Sequence, residues 1–175
     1  LRVFPNKVLT LLAPGQGSQK PGMLADWLEL PGARDQLATW SKLTGLDLER
    51  LGTTAEVEEI TDTANTQPLV VASALLAYDE LVKQYDLPAD TIVAGHSVGE
   101  LAAAAIAGVI TPDEAVTLAA IRGGDLVCMG DVGARMGIDM KGGTILVVGL
   151  AVAMIVFKPS MRPLNVPPLL GSGNG

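Results

Sequence analysis

The sequence predicts an α/β fold built on a parallel sheet, and three observations carry that expectation. Apolar runs of strand length alternate with stretches of helical spacing over the first two thirds of the 175 residues. The first run, Val8-Leu9-Thr10-Leu11-Leu12-Ala13, is continuous rather than alternating, which suits a central strand covered on both faces. A later short run, Thr91-Ile92-Val93-Ala94, turns sharply through Gly95-His96-Ser97-Val98-Gly99 into Glu100-Leu101-Ala102-Ala103-Ala104-Ala105-Ile106-Ala107, all good helix formers. Strands and helices in this alternation imply parallel strands joined by right-handed crossovers.

Taken in order, the first strand ends in Pro14-Gly15-Gln16-Gly17-Ser18-Gln19, a Gly-rich loop at a strand's carboxyl end, where open α/β sheets place ligands. It lacks the Gly-Lys-Ser/Thr of a phosphate-binding loop. Its glycines either let backbone approach a ligand or make a turn. Leu37, Trp40, Leu43 and Leu46 recur at helical spacing over 36–51, interrupted by Gly45, and predict a helix with its exit turn. Trp27 and Trp40 read as packing residues. Leu69, Ala72, Leu76 and Leu81 predict a helix over 68–85, with Pro68 in its first turn and enough small and aliphatic surface to be buried on several sides. Thr111-Pro112-Asp113-Glu114 is a capping box, with Thr at the N-cap and Glu three residues on, opening a helix over 113–121.

The turn around Ser97 is where chemistry is expected. Gly95 and Gly99 flank the serine at the two positions where a strand-to-helix reversal needs missing Cβ atoms. Such a turn lifts the hydroxyl off the sheet. It also aims the first helical N–H groups and the positive end of the helix dipole at the space beside the hydroxyl, where an acyl-transfer oxyanion would form. A tight turn whose serine only caps the helix has the same short pattern.

Composition narrows the field. A net charge of −7 with no basic cluster argues against nucleic acid and anionic membranes as partners. One cysteine, Cys128, permits no internal disulfide and fits a reducing cytoplasm. Residues 1–12 show no cleavable signal pattern and no initiator Met, so a trimmed start is expected. The longest apolar run, 144–157, is broken by Gly149 and is shorter than the ~20 residues of a spanning helix, so it is read as buried strand.

Four motifs in this order and spacing, Pro14-Gly15-Gln16-Gly17-Ser18-Gln19, Asn65-Thr66-Gln67-Pro68, Gly95-His96-Ser97-Val98-Gly99-Glu100 and Ile121-Arg122-Gly123, closely resemble the malonyl-CoA:acyl-carrier-protein transacylases of fatty acid synthesis. The acyltransferase domains of polyketide synthases share much of the pattern. The resemblance covers roughly residues 7–123. It implies the parallel-sheet, hydrolase-like large subdomain of an acyltransferase, here incomplete, acting on malonyl-CoA and acyl carrier protein. No cofactor is implied beyond the coenzyme A thioester that serves as substrate. Ser97 would take malonyl as an ester, and the N–H groups of Gln16 and Val98 would form the oxyanion hole. Arg122 would grip the malonyl carboxylate, a pairing that suits a planar guanidinium. Gln67 would lie near the site. The family's base is a second histidine downstream of the arginine; this chain has only His96. On a sharp elbow the side chains of adjacent residues point apart, so His96 is badly placed to take the Ser97 proton.

After Gly123 the family pattern stops. Gly130-x-x-Gly133-x-x-x-Gly137 and Met140-Lys141-Gly142-Gly143-Thr144-Ile145-Leu146-Val147-Val148-Gly149 locally resemble the glycine-patterned β-helix repeats of glutamate synthase and formylmethanofuran dehydrogenase subunits. The stretch is about one repeat long, whereas solenoids need about three to bury their faces. A Gly-rich hairpin or a strand packed on the first unit is therefore expected. Residues 158–175 hold four prolines and end Gly-Ser-Gly-Asn-Gly, predicting an extended or disordered tail. Three segments follow: an acyltransferase-like core over 1–123, a Gly-rich β-prone segment over 124–157, and the tail. They predict a truncated or recombined chain, with a transacylase front half joined to an unrelated ending.

Overall fold

A computed structural model describes residues 2–3, 8–121, 125–128, 132–133, 144–147, 151–152 and 156–157, with backbone alone for 2–3 and from 125 on. In order these form β1 (Arg2–Val3), β2 (Thr10–Ala13), a 3-10 turn (Trp27–Glu29), α1 (Ala33–Thr44), α2 (Leu48–Thr53), α3 (Val57–Thr61) and α4 (Thr63–Gln84). Then come β3 (Tyr85–Asp86), β4 (Ile92–Gly95), α5 (Gly99–Ile106), α6 (Pro112–Ala119), and the short strands β5 (Asp125–Cys128), β6 (Val132–Gly133), β7 (Thr144–Val147), β8 (Ala151–Val152) and β9 (Val156–Phe157). The expected α/β class is what forms. Among the described residues no helix is long and apolar enough to cross a membrane.

The sheet that carries the elbow has the order β2-β4-β9. β2 and β4 run parallel, with Thr10 opposite Ile92 and Ala13 opposite Gly95, so their carboxyl ends finish level. The sequence expectation for β2 needs correction. Among the described residues β4, not β2, is the middle strand, and Val8 and Leu12 are 64% and 76% exposed. A continuous apolar run reports what a strand can bury, but its neighbours come from elsewhere in the chain.

Helices supply the core. Leu37 and Trp40 of α1, Leu48 of α2, Leu69, Val70 and Val71 of α4, Val93 of β4 and Val116 of α6 are all fully buried. Each such large side chain contributes about 1.5–3 kcal/mol relative to leaving it exposed. Trp40 also donates its indole N–H to the Asp113 carboxylate at 2.9 Å, tying α1 to the first turn of α6. Trp27 is partly buried against the same core. Leu43, placed on the apolar stripe by its spacing, is 49% exposed, because Gly45 at φ 70 ends α1 one residue past Thr44 and the chain turns away into α2.

α4 begins five residues before the expected start. Asp62 is its N-cap and accepts from the N–H of Ala64 at 2.9 Å, so Pro68 sits inside the helix rather than in its first turn. Proline there leaves the Ala64 carbonyl without its usual i+4 donor. Burial of Pro68, Leu69, Val70, Val71, Ala72, Leu75 and Leu76 outweighs that loss, and the helix is packed on several sides as the sequence predicts. The capping box is also present: Thr111 Oγ1 accepts from the Glu114 N–H at 3.1 Å, and the Glu114 carboxylate accepts from the Thr111 N–H at 2.7 Å.

Past residue 121 the chain departs from expectation. β5 pairs with β7 and β6 with β8, both in parallel, which excludes the hairpin reading of the glycine pattern. A hairpin needs antiparallel strands, whereas residues 129–143 between β5 and β7 are long enough for a parallel return. The 144–157 run is three short strands rather than one. The last of them, β9, packs antiparallel on β4, so a strand does lie against the first unit.

Two packing tests follow. Thr111→Ala should cost about 1 kcal/mol in urea unfolding, the usual loss for an N-cap. Hydrogen bonds from the backbone N–H and then the hydroxyl of Thr111 hold the Glu114 carboxyl below its ordinary range. The stabilisation linked to this carboxylate is therefore present above the unfolded-state pKa and is lost as pH falls through the lowered folded value. The wild type should lose more stability than the variant over that acid interval. Gly99→Ala should cost about 3 kcal/mol or prevent folding, because the new Cβ would meet the Ala13 carbonyl oxygen at 2.5 Å and that of Pro14 closer still. An unchanged urea midpoint would refute this packing.

Candidate active site

The site grows out of three contacts between backbone segments. Gly95 lies directly beneath the peptide joining Gly99 to Glu100, where no Cβ fits. Gly99 lies against the carbonyls of Ala13 and Pro14 at the end of β2. Gly15 lies under the elbow itself: a Cβ there would stand 2.6 Å from the His96 carbonyl oxygen, 2.7 Å from His96 Nδ1 and 3.2 Å from Ser97 Cβ. The His96 N–H donates to the Ala13 carbonyl at 3.1 Å, continuing the β2–β4 ladder one residue past the strands.

Between these contacts the chain reverses at Ser97, whose φ of 55° makes it the sole non-glycine residue at positive φ among the described residues. A left-handed serine costs about 1–3 kcal/mol and persists where the surroundings over-determine it. The Gly99 N–H then donates to the His96 carbonyl at 3.0 Å and the Glu100 N–H to the Ser97 carbonyl at 2.9 Å, which starts α5. Ser97 is exposed at the apex, at the positive end of that helix.

Val98 directly follows this apex, and Gln16 directly follows Gly15, which touches it. Val98 is the buried N-cap of α5. The Gln16 side-chain amide donates to Thr63 Oγ1 at 3.1 Å. The backbone N–H groups of Gln16 and Val98 have no acceptor among the described residues. The Thr63 tether was not foreseen; its signal was Asp62, the N-cap that places Thr63 at the first position of α4. Gln67 lies one turn beyond Thr63 on α4 and is half-buried, so helical spacing puts it on the face that holds the Gln16 loop. Arg122 lies outside the described residues.

His96 is exposed, and its imidazole lies by Gly15. Glu100, the second residue of α5, has its carboxyl raised above the ordinary range by burial, an effect the neighbouring His96 opposes. Both groups sit beside the elbow. Among the described residues the Ser97 hydroxyl has no hydrogen-bond partner. The arrangement offers a raised hydroxyl, two free backbone donors and a helix dipole, the electrostatic part of an acyl-transfer site.

The comparisons with known proteins agree with this geometry. The acyl transferase domain family matches residues 10–140, running past the last of the motifs at Gly123. The malonyl CoA-acyl carrier protein transacylase of Mycobacterium tuberculosis H37Rv is 64% identical over 120 residues, covering 68% of this chain and 40% of that protein. The crystal structure of MCAT from Mycobacterium tuberculosis superposes with a TM-score of 0.62 at 62% identity, over 66% of this chain and 39% of that one. A malonyl-transacylase solved in complex with its type II polyketide synthase acyl-carrier protein superposes with a TM-score of 0.60 at 34% identity, over 66% of this chain and 38% of that one. The chain thus spans about 40% of the length of the curated relatives it matches. The family match over residues 10–140, on a chain that forms the elbow described above, places the chain in the acyl transferase domain family.

Proposed function

We propose that Ser97 is the acyl-carrying nucleophile of a malonyl-CoA:acyl-carrier-protein transacylase core. The observation that carries this reading is the strained Ser97 apex, flanked by the free N–H groups of Gln16 and Val98. In the first half-reaction Ser97 Oγ attacks the malonyl thioester carbonyl, its proton passes to a base, and the C–S bond breaks to release coenzyme A thiol. The negative charge on the tetrahedral oxygen is taken by the N–H groups of Gln16 and Val98, a contribution worth about 10²–10³ in rate per donor. In the second half-reaction the phosphopantetheine thiol of acyl carrier protein attacks the Ser97 ester and returns the serine hydroxyl. Arg122 pairs with the malonyl carboxylate, which selects a diacid, and Gln67 borders the acyl pocket. The reaction belongs to fatty acid biosynthesis, the setting of the family's transacylases.

The proton step is where this chain is weak. It has one histidine, and that residue stands beside the nucleophile with its ring by Gly15. Removing a dyad partner costs several orders of magnitude, so turnover by this chain alone is expected to be roughly 10³-fold or more below that of a complete transacylase. The single histidine favours a second reading as well: a non-catalytic acyltransferase fragment that binds acyl-CoA without turning it over.

Intact-mass measurement after incubation with malonyl-CoA, beside a Ser97→Ala control, separates these readings. Slow Ser97-dependent addition of one malonyl group supports a nucleophile without its base. Rapid acylation followed by transfer to carrier protein would overturn the assignment of a missing base, and no addition at any time would leave the binding fragment. Where acylation is seen, Arg122→Ala should abolish the preference for malonyl-CoA over acetyl-CoA while leaving acetyl addition within about threefold, since only the charge-assisted pair is lost. An unchanged malonyl preference would remove Arg122 from the site.

A further inference from the structure

The two strand pairs beyond residue 121 share a register that the hairpin expectation did not foresee. Asp125 stands opposite Thr144, and Val132 stands opposite Ala151, the same offset of 19 residues in both pairs. A glycine two residues beyond each strand of the β5–β7 pair repeats at that offset too, as Gly130 and Gly149. Parallel strands that return after a constant number of residues at two successive positions are coils stacked one on another. Residues 125–133 thus give the strands of a first coil, and 144–152 those of a second.

Each coil uses one edge of its strands for the other coil. The opposite edge presents backbone N–H and C=O groups along the stacking direction. Among the described residues, β7 and β8 pair with β5 and β6 alone. Among the described residues the chain does not extend the stack itself: β9 follows four residues after β8 and pairs antiparallel with β4. The next offset of 19 reaches Pro163-Leu164-Asn165-Val166, followed by Pro167-Pro168, a sequence poor in the N–H donors a rung requires. Residues 144–157 contain no charge and no proline, so this edge has none of the guards that monomeric sheets place on open strands.

We propose that the outer edge of the second coil, β7 with β8, docks the first coil of a second copy of this chain, β5 with β6, in the same parallel register. The occupant must offer two short parallel strands at the spacing the second coil already accepts from the first. The first coil of an identical chain does this by construction. Such a contact joins unlike surfaces and does not close on itself, so copies add head to tail.

Sedimentation velocity of the full chain across a concentration series tests this. The weight-average mass should rise without a plateau, roughly doubling over about a tenfold range. Leu146→Pro, which removes a rung donor, and Ile145→Lys, which places a charge in the rung and leaves the backbone donors in place, should each give a monomer at the same concentrations. The helical circular dichroism of residues 33–119 should be unchanged in both. A monomer at every concentration overturns the proposal, as does a mass that stops at the dimer. Assembly that persists in both variants but is lost in Leu12→Lys would assign the contact to the exposed β2 face and overturn it equally.

Discussion

The functional end of the molecule rests on close backbone approach at Gly15, Gly95 and Gly99. None of the three tolerates a Cβ, and the atoms that a Cβ would meet are mostly backbone. Backbone cannot move aside as the end of a flexible side chain can, so the ends of β2 and β4 and the start of α5 are fixed within a few tenths of an ångström. The positive φ of Ser97 follows from that fixation: the chain must leave β4, clear the β2 loop and enter α5 within four residues. The strain is held by packing behind it. Ala102, Ala103 and Ala104 keep α5 slim enough to sit close to β4 while α4 and α6 cover its other sides.

What could be read from the sequence was local, and what could not was not. The elbow, the Thr111 capping box and the burial of α4 each depend on residues within a few positions of one another, and each forms as the residue types dictate. The start of α4 was misplaced because Pro68 looks like a first-turn residue, while the distant cap Asp62 and a long buried face decide the matter. Leu12 was misjudged because a strand's covering is contributed by other parts of the chain. The parallel pairs beyond residue 121 were passed over because the β-helix-like glycine pattern is about one repeat long and about three are usually needed to bury the faces, which favoured a hairpin or a single packed strand.

The same division runs through the site. Ser97 and Val98 lie within one motif, and Gly15 carries Gln16 to them by a contact that a Gly-rich loop after a strand makes plausible in advance. The tether from Gln16 to Thr63 spans 47 positions in sequence and has no local signature. It matters for the oxyanion role proposed for Gln16, because a donor on a loose loop would lose ordering entropy at the moment of reaction, whereas a loop bonded to a helix start has lost it on folding.

Catalysis by such an elbow has two parts that depend on the chain differently. The proposed oxyanion donors and the helix dipole are backbone groups, so any sequence that makes the turn supplies them. Proton transfer requires a side chain aimed at Ser97 Oγ, and among the described residues none hydrogen-bonds to it. His96 and Ser97 are adjacent on a reversal, Gly15 lies against both the imidazole and Ser97 Cβ, and among the described residues no hydrogen bond joins the imidazole to the Ser97 hydroxyl. Aiming such a side chain is a tertiary requirement, because the turn by itself supplies only backbone groups. A chain can accordingly keep the full electrostatic part of an acyltransferase site while the rate is set by the ionisation of an unassisted alcohol.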